Sequence, residues 1–340
     1  MDDIAAFIRQ LPKAELHLHL EGTISPATLV ELSRRHDAHP LTFPEAKAIY
    51  QFTDFTGFIE AFKAVTRHLI GPDDYELVAW RMMQRLAEQG VLHAEVYISV
   101  GVIYMWRHHD PHCFEPIFAA LERARERAAR ELGLSLYWIF DAVRHFPVEK
   151  AEVVFRKAAE MRCQYPSIVG IGLGGDERRC GSEPFRAVYA QAHEAGLRLT
   201  NHAGETTGPD AIREALSIGS ERIGHALSAV QDGELMEHLK HERIPLELNP
   251  TSNVRTGVCS SFAAHPLRRY FDAGLLVTLN SDDPAFFASD VASEYLRAYT
   301  EQGFSREELR QLAANSIRAS FLPETEKVRL LSRNDISSVT

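Results

Sequence analysis

The sequence predicts an α/β protein folded as a (β/α)8 TIM barrel, and three observations carry that expectation. Eight short runs rich in β-branched or aromatic residues recur, at 14–20, 92–99, 135–143, 167–173, 197–202, 222–226, 244–249 and 275–280, with helical patterns between them. Residue types that bind metals or move protons gather at the C-terminal ends of several of these runs, where barrels of this kind build their sites. No repeat, low-complexity stretch or Pro/Gly/Ser linker divides the chain, so residues 1–340 are expected to form one domain.

The first run, Glu15-Leu16-His17-Leu18-His19-Leu20-Glu21, alternates strictly. Side chains switch faces at every residue of a strand, so two imidazoles and two carboxylates share one face and three leucines the other. Ser25 before Pro26 starts a helix, and 74–89 carries a long helical period. The stretch from about 24 to 90 is too long for one crossover, which places extra helices between strands one and two, over the barrel mouth. Within it Phe55, Phe58 and Phe62, three and four residues apart, read as a core stripe or as an apolar lid.

Strand two holds His93-Ala94-Glu95, the H-x-E half of a small zinc-deaminase signature. The PCxxC half is missing and the triplet sits mid-strand, so it reads as structural. On the helix 113–132 the run from Arg123 to Arg130 alternates with Glu122 and Glu126, as a solvated face does. Gly170-Ile171-Gly172-Leu173-Gly174-Gly175 fits GxGxxG by letter, but a dinucleotide loop needs those glycines in a turn that opens a helix. Inside strand four they serve close approach instead. Strand five runs into Asn201-His202-Ala203-Gly204-Glu205, strand six into Gly224-His225-Ala226, and strand eight into Asn280-Ser281-Asp282-Asp283-Pro284. Ser305 with Glu308 forms a capping box, and the last dozen residues, ending Ser337-Ser338-Val339-Thr340, are expected to fray.

With 37 basic and 47 acidic residues the formal net charge is -10, which disfavours a nucleic-acid or anionic-membrane surface and favours a small-molecule partner. Cys113, Cys163, Cys180 and Cys259 are scattered without a CxxC pair, so they read as reduced thiols. The opening MDDIAAFIRQLPK has no apolar leader core, and no run of eighteen apolar residues occurs, which predicts a cytoplasmic protein.

The polar strand ends suit a catalytic metal. His17 and His19 point the same way one step apart, and burying them beside two acids without partners would be costly. His202 or His225 alone reads as a hydrogen-bonded core histidine, and Asp282-Asp283-Pro284 alone as a helix-starting turn. Four strands delivering such residues at one end of a barrel is a different matter: three histidines and one aspartate around a single ion leave a position for water, whose pKa the ion lowers.

LPKAELHLHLEG, GIGLGGDE, NHAGE, IGHAL, NPTSNVRTG and LNSDDP, in this order, resemble the adenosine deaminase family of the amidohydrolase superfamily, from about residue 11 to 320. The resemblance implies a metal-dependent (β/α)8 barrel that hydrolytically removes the 6-amino group of an adenine ring and releases ammonia. It implies that His17, His19, His202 and Asp282 hold one ion, most often Zn2+, with His19 also against the substrate. It makes Glu205 the acid that protonates N1 as water adds to C6, a role that needs a carboxyl kept protonated by burial. His225 would orient and help deprotonate the water or steady the developing charge, Asp282 would accept a hydrogen bond from it, Asp283 would contact N7 and the Gly175 backbone N–H would contact N3. Relatives with two metals carry a lysine at the end of strand four, where this chain has Gly174-Gly175-Asp176-Glu177.

Two departures bear on the substrate. Glu21 stands where adenosine-specific members more often have Asp for the ribose 5′-hydroxyl, and Arg255 stands where relatives more often have Gln. A guanidinium can take a carboxylate bidentately, and Arg144 at the end of strand three is expected to assist. The implied substrate is a purine nucleoside with an extended anionic 5′ end, best matched by 6-amino-6-deoxyfutalosine of the alternative menaquinone pathway. Adenosine and, less well, adenine are the alternatives.

Overall fold

Eight parallel strands lie side by side in chain order, β1 Lys13–His19, β2 Val91–Ile98, β3 Ser135–Val143, β4 Ile168–Gly174, β5 Arg198–Ala203, β6 Arg222–His225, β7 Leu246–Leu248 and β8 Val277–Leu279. All eight expected runs are strands, displaced by a few residues at most. The computed structural model describes residues 2–107, 110 and 112–336. The sheet closes between the last strand and the first: the Asp282 N–H donates to His17 O at 3.0 Å, the His19 N–H to Asp282 O at 3.0 Å and the Leu16 N–H to Asn280 Oδ1 at 2.9 Å. Closure thus threads β1 and the end of β8 through each other's backbones, which brings their side chains together.

Glu15 is part of this seam. Fully buried, it accepts the Ser281 N–H at 2.8 Å and the Ser281 hydroxyl. The glycines of β4 act as expected: a Cβ on Gly172 would lie 2.7 Å from Tyr97 Cε1, and one on Gly170 2.6 Å from Arg198 O. His93 and Glu95 are structural. Their side chains meet at 3.2 Å, and Glu95 also pairs with Arg222 and accepts the Phe321 N–H.

Four helices, Pro26–His36, Phe43–Ile49, Phe55–Thr66 and Pro72–Glu88, separate β1 from β2. The helix over 26–36 starts where Ser25 Oγ accepts the Thr28 N–H at 3.2 Å, ahead of Pro26. Phe58 packs on Phe286 and Phe287 at centroid distances of 5.6 and 5.2 Å, fastening the inserted helix 55–66 beside the end of β8. Ser305 and Glu308 form their capping box.

Two expectations need correction. Glu122 does not face solvent: it is 6 % exposed and accepts from Trp138 Nε1 at 2.8 Å and Ser167 Oγ at 2.7 Å, because the helix 114–131 turns that edge onto β3. The last dozen residues do not all fray, since a helix runs over Glu324–Ile336 and buries Leu330; 337–340 lie outside the described residues. Among the described residues no helix is long and apolar enough to cross a membrane.

Candidate active site

The C-terminal ends of β1, β5, β6 and β8 bring His17, His19, His202, His225, Asp282 and Asp283 together. His17 Nε2 and His19 Nε2 lie 3.6 and 3.4 Å from Asp282 Oδ1, and His19 Nε2 lies 3.2 Å from His202 Nε2. Ligands of a tetrahedral zinc stand about 3.3 Å apart, since each bond is about 2.0–2.1 Å. The donor set therefore fits a single divalent ion. His17 Nε2 is buried and has no hydrogen-bond partner among the described residues, as an atom reserved for a ligand would be. Burial alone would lower the pKa of His17, but the carboxylates of Asp282 and Glu247 override it and push it up to about 10. The two acids call for a positive charge here, and a bound ion would supply one.

The cluster is held from behind. His17 Nδ1 meets Glu247 Oε2 at 2.8 Å, Glu247 Oε1 pairs with Arg222 Nε at 2.6 Å, and Arg222 pairs with Glu95. A carboxylate on the far nitrogen fixes a ligating imidazole's tautomer and orientation. Asp282 accepts the Ser252 hydroxyl on Oδ2 at 2.6 Å, which leaves Oδ1 toward the histidines. His225 and Asp282 both sit at φ 63, a left-handed conformation rare for such residues, so the chain spends backbone strain to aim these two side chains.

Glu205 follows His202 by three residues and lines the cavity above the cluster. Burial, then the charges of Asp282 and Glu177, raise its pKa well above the usual carboxylate range, which keeps it protonated. Asp283 is raised in the same direction by burial and by Asp282. Glu177, which sequence reasoning passed over, anchors this corner: its carboxylate accepts the N–H groups of Gly204, Glu205 and Thr206 at 2.6, 2.9 and 2.8 Å. Asp141, on β3, was also missed. It lines the cavity with no hydrogen-bond partner for Oδ1 among the described residues, and burial pushes its pKa up to about 8. Its signal was a lone acid in an apolar strand.

The cavity holds about 450 Å³, within the range of pockets that enclose drug-sized molecules. Besides the cluster, its walls include Gly174, Gly175 and Ser99 and the apolar side chains of Phe55, Phe58, Phe62, Met105 and Phe146. The phenylalanine stripe thus serves both readings, packing on Phe286 and lining the cavity. Lys63 and Arg179 stand at its rim; Lys63 pairs with Glu60 at 2.8 Å, while Arg179 has no acidic partner among the described residues.

Three expected substrate contacts lie elsewhere. Arg144 is 1 % exposed and off the cavity wall, spending its guanidinium on Cys180 O, Asn201 Oδ1 and His202 O. It ties the ends of β3 and β5 together, which corrects its assignment to an anionic tail. Arg255 lies over the Phe52 ring at 5.6 Å with no carboxylate partner among the described residues, and it too stands off the wall. Glu21 is 1 % exposed and sits behind Ser99, whose N–H it accepts at 3.0 Å.

A family model described as adenosine deaminase matches residues 12–336. The chain is similar to an aminodeoxyfutalosine deaminase of Streptomyces avermitilis, 40 % identical over 336 residues that cover 98 % of this chain and 93 % of that protein. Among solved structures, it resembles the adenine deaminase of Arthrobacter aurescens with a TM-score of 0.90 at 31 % identity, covering 97 % of this chain and 99 % of that one. It also resembles an amidohydrolase from Burkhoderia ambifaria with bound zinc, at TM-score 0.88 and 25 % identity, covering 98 % of this chain and 93 % of that one.

Proposed function

Because this chain belongs to the adenosine deaminase family, we propose that it hydrolytically removes the 6-amino group from the adenine of an extended purine nucleoside, with 6-amino-6-deoxyfutalosine as the best-fitting substrate. One observation carries the choice of substrate: the cavity at the histidine cluster is also walled by Phe55, Phe58, Phe62 and Phe146 and by Arg179, which has no acidic partner among the described residues. Free adenine or adenosine offers nothing to pair with that cation. An aromatic carboxylate tail matches both the aromatic wall and the guanidinium. The 40 % identical relative bears the matching name.

In this reading His17, His19, His202 and Asp282 hold the ion, zinc by preference, though such a set also accepts iron, cobalt or manganese. The ion, when bound, lowers the pKa of a water beside C6. The chain's own residues supply the rest. Glu205, held protonated by burial, gives its proton to N1 as electron density moves there from C6. Asp283, protonated likewise, donates to N7, and the N–H of Gly175, which lines the cavity, serves N3. His225 orients the water, and Asp282 Oδ2 accepts from it. Four free cysteines agree with a reducing cytoplasm as the place of work.

The deciding measurement compares kcat/KM for aminodeoxyfutalosine, adenosine, 5′-deoxyadenosine and adenine. We expect the first to lead by at least tenfold; equal values, or adenine in front, overturn the substrate. Glu205→Gln is expected to keep metal and nucleoside binding while kcat collapses by about 10²-fold or more. Near-normal turnover would remove Glu205 as the acid.

A further inference from the structure

Behind His225 runs a chain of buried polar groups that the proposed reaction does not use. Asn253 is 0 % exposed and His265 3 %, and neither lines the cavity. The direction of every hydrogen bond in this chain follows from its far end, where the donor is unambiguous. The Leu267 backbone N–H reaches His265 Nδ1 at 3.2 Å. A backbone N–H only donates, so Nδ1 accepts, and the buried, neutral ring of His265 carries its proton on Nε2. That nitrogen lies 3.2 Å from Asn253 Oδ1. The Asn253 amide cannot turn over without setting its own N–H against the His265 N–H.

So fixed, Asn253 points an Nδ2–H at His225 Nδ1 across 3.1 Å, and Asn249 Nδ2 approaches the same nitrogen at 3.3 Å. His225 Nδ1 therefore accepts. A neutral imidazole has one proton, which leaves it on Nε2, the atom 3.9 Å from Glu205 Oε2 and 3.9 Å from Asp282 Oδ2. We infer that His265, acting through Asn253, is a positioning residue that fixes the tautomer of His225, so that His225 faces the reacting atoms as a hydrogen-bond donor and not as a base. The inference rests on the proposed function only in placing His225 beside the reacting water. A ring already protonated on Nε2 cannot take the water's proton there, so that proton goes to Asp282 Oδ2, 3.9 Å from His225 Nε2, and leaves with the amine as the C6–N bond breaks and ammonia departs. Its part is to orient the water and steady negative charge that grows on the oxygen. The segment carrying His265 is itself pinned, since Gln302 Nε2 donates to Phe262 O at 2.6 Å and His265 O at 2.9 Å.

The test uses the zinc-loaded full chain labelled with 15N-histidine, with the His225 ring signals identified by their loss in His225→Gln. Nitrogen NMR is expected to show Nε2 protonated and Nδ1 bare in the wild type. His265→Phe keeps the ring's bulk but removes both hydrogen bonds; it is expected to mix the two tautomers and lower kcat by about 10-fold to 10²-fold, with KM little changed. His265→Gln restores an N–H toward Asn253 and is expected to recover the Nε2–H tautomer and most of kcat. A wild-type His225 protonated on Nδ1 overturns the inference without any variant. So does a His265→Phe protein that folds and keeps both the tautomer and kcat. A wild type that deaminates no adenine compound, yet shows the Nε2–H tautomer, instead overturns the proposed function alone.

Discussion

Replacing Glu177 by glutamine tests whether the corner that carries Glu205 is held by a buried charge. The wild-type carboxylate is 5 % exposed and accepts three backbone N–H groups, Gly204 on Oε1 and Glu205 and Thr206 on Oε2. Glutamine has the same shape but one oxygen. With that oxygen toward Glu205 and Thr206, the amide NH2 faces the Gly204 N–H, and a buried donor loses its acceptor. An unsatisfied donor costs about 1–3 kcal/mol, and turning each of two charge-assisted bonds into neutral ones costs roughly 0.5–1 kcal/mol. The variant should therefore lose about 2–5 kcal/mol in urea unfolding. It should still bind metal, because none of the proposed ligands is touched, while kcat falls at least tenfold as Glu205 drifts from its proposed place at N1. Loss of the Glu177 charge also lets the Glu205 carboxyl ionise more easily. In the proposed mechanism Glu205 works protonated, so activity is lost as pH rises through its pKa, and the alkaline limb of kcat/KM should move to lower pH. A variant with wild-type stability, kcat and pH profile refutes the assignment of Glu177 as the anchor.

Arg179→Gln is expected to lower kcat/KM for the carboxylate-bearing nucleoside about fivefold, the worth of an exposed ion pair of about 1 kcal/mol, and to leave adenosine unchanged; an equal loss on both removes Arg179 from tail recognition. Treatment with a chelator should abolish deamination and lower Tm, and added zinc should restore both, with a stabilisation of about 2.7 kcal/mol at a hundred times Kd; activity that survives in metal-free protein contradicts the site. Burial would raise Glu95, but Arg222 and His93 override it and hold it at about 2, below its ordinary value of 4.5. Its contribution is complete above pH 4.5 and is lost as pH falls toward 2. Glu95→Gln should therefore cost roughly 3–5 kcal/mol at pH 7 and distinctly less at pH 3, which urea unfolding at the two pH values checks.

What could be read from sequence and what could not divides along a physical line. The strands declared themselves because a parallel barrel buries both faces, so each strand is a short apolar run and every interruption by His, Asp or Glu stands out. His17, His19, His202, His225 and Asp282 stood out for that reason as metal-type residues, and the family resemblance then singled out His17, His19, His202 and Asp282 as the ligand set. Glu247 and Asp141 obey the same rule, as single acids inside apolar strands, and escaped only because nothing in the chain order says which polar residue of a strand they face. Glu177 and His265 lay out of reach in a stronger sense. Glu177 is met by three backbone N–H groups, and His265 by the Leu267 N–H and the Asn253 amide, contacts that carry no sequence signature. The two arginines show the opposite error. Arg255 drew notice because relatives more often have Gln there and Arg144 because it follows strand three, and a guanidinium suggested an anionic ligand, yet Arg144 spends its own on Cys180 O and His202 O inside the wall. Arg179 follows Arg178, which is tied to Asp176 at 3.2 Å, and the sequence gives no means of telling which of the neighbours turns inward. Direction, not residue type, decides the outer pocket. In a barrel, direction near the metal is set by strand alternation, and at the rim by loops whose course depends on packing such as Phe58 on Phe287. Chemistry common to the family is therefore written in the alternation of strands, while discrimination among adenine compounds is written in loop geometry. Substitutions at the rim should accordingly change which compound is deaminated and leave the rate on a shared core such as adenosine nearly untouched.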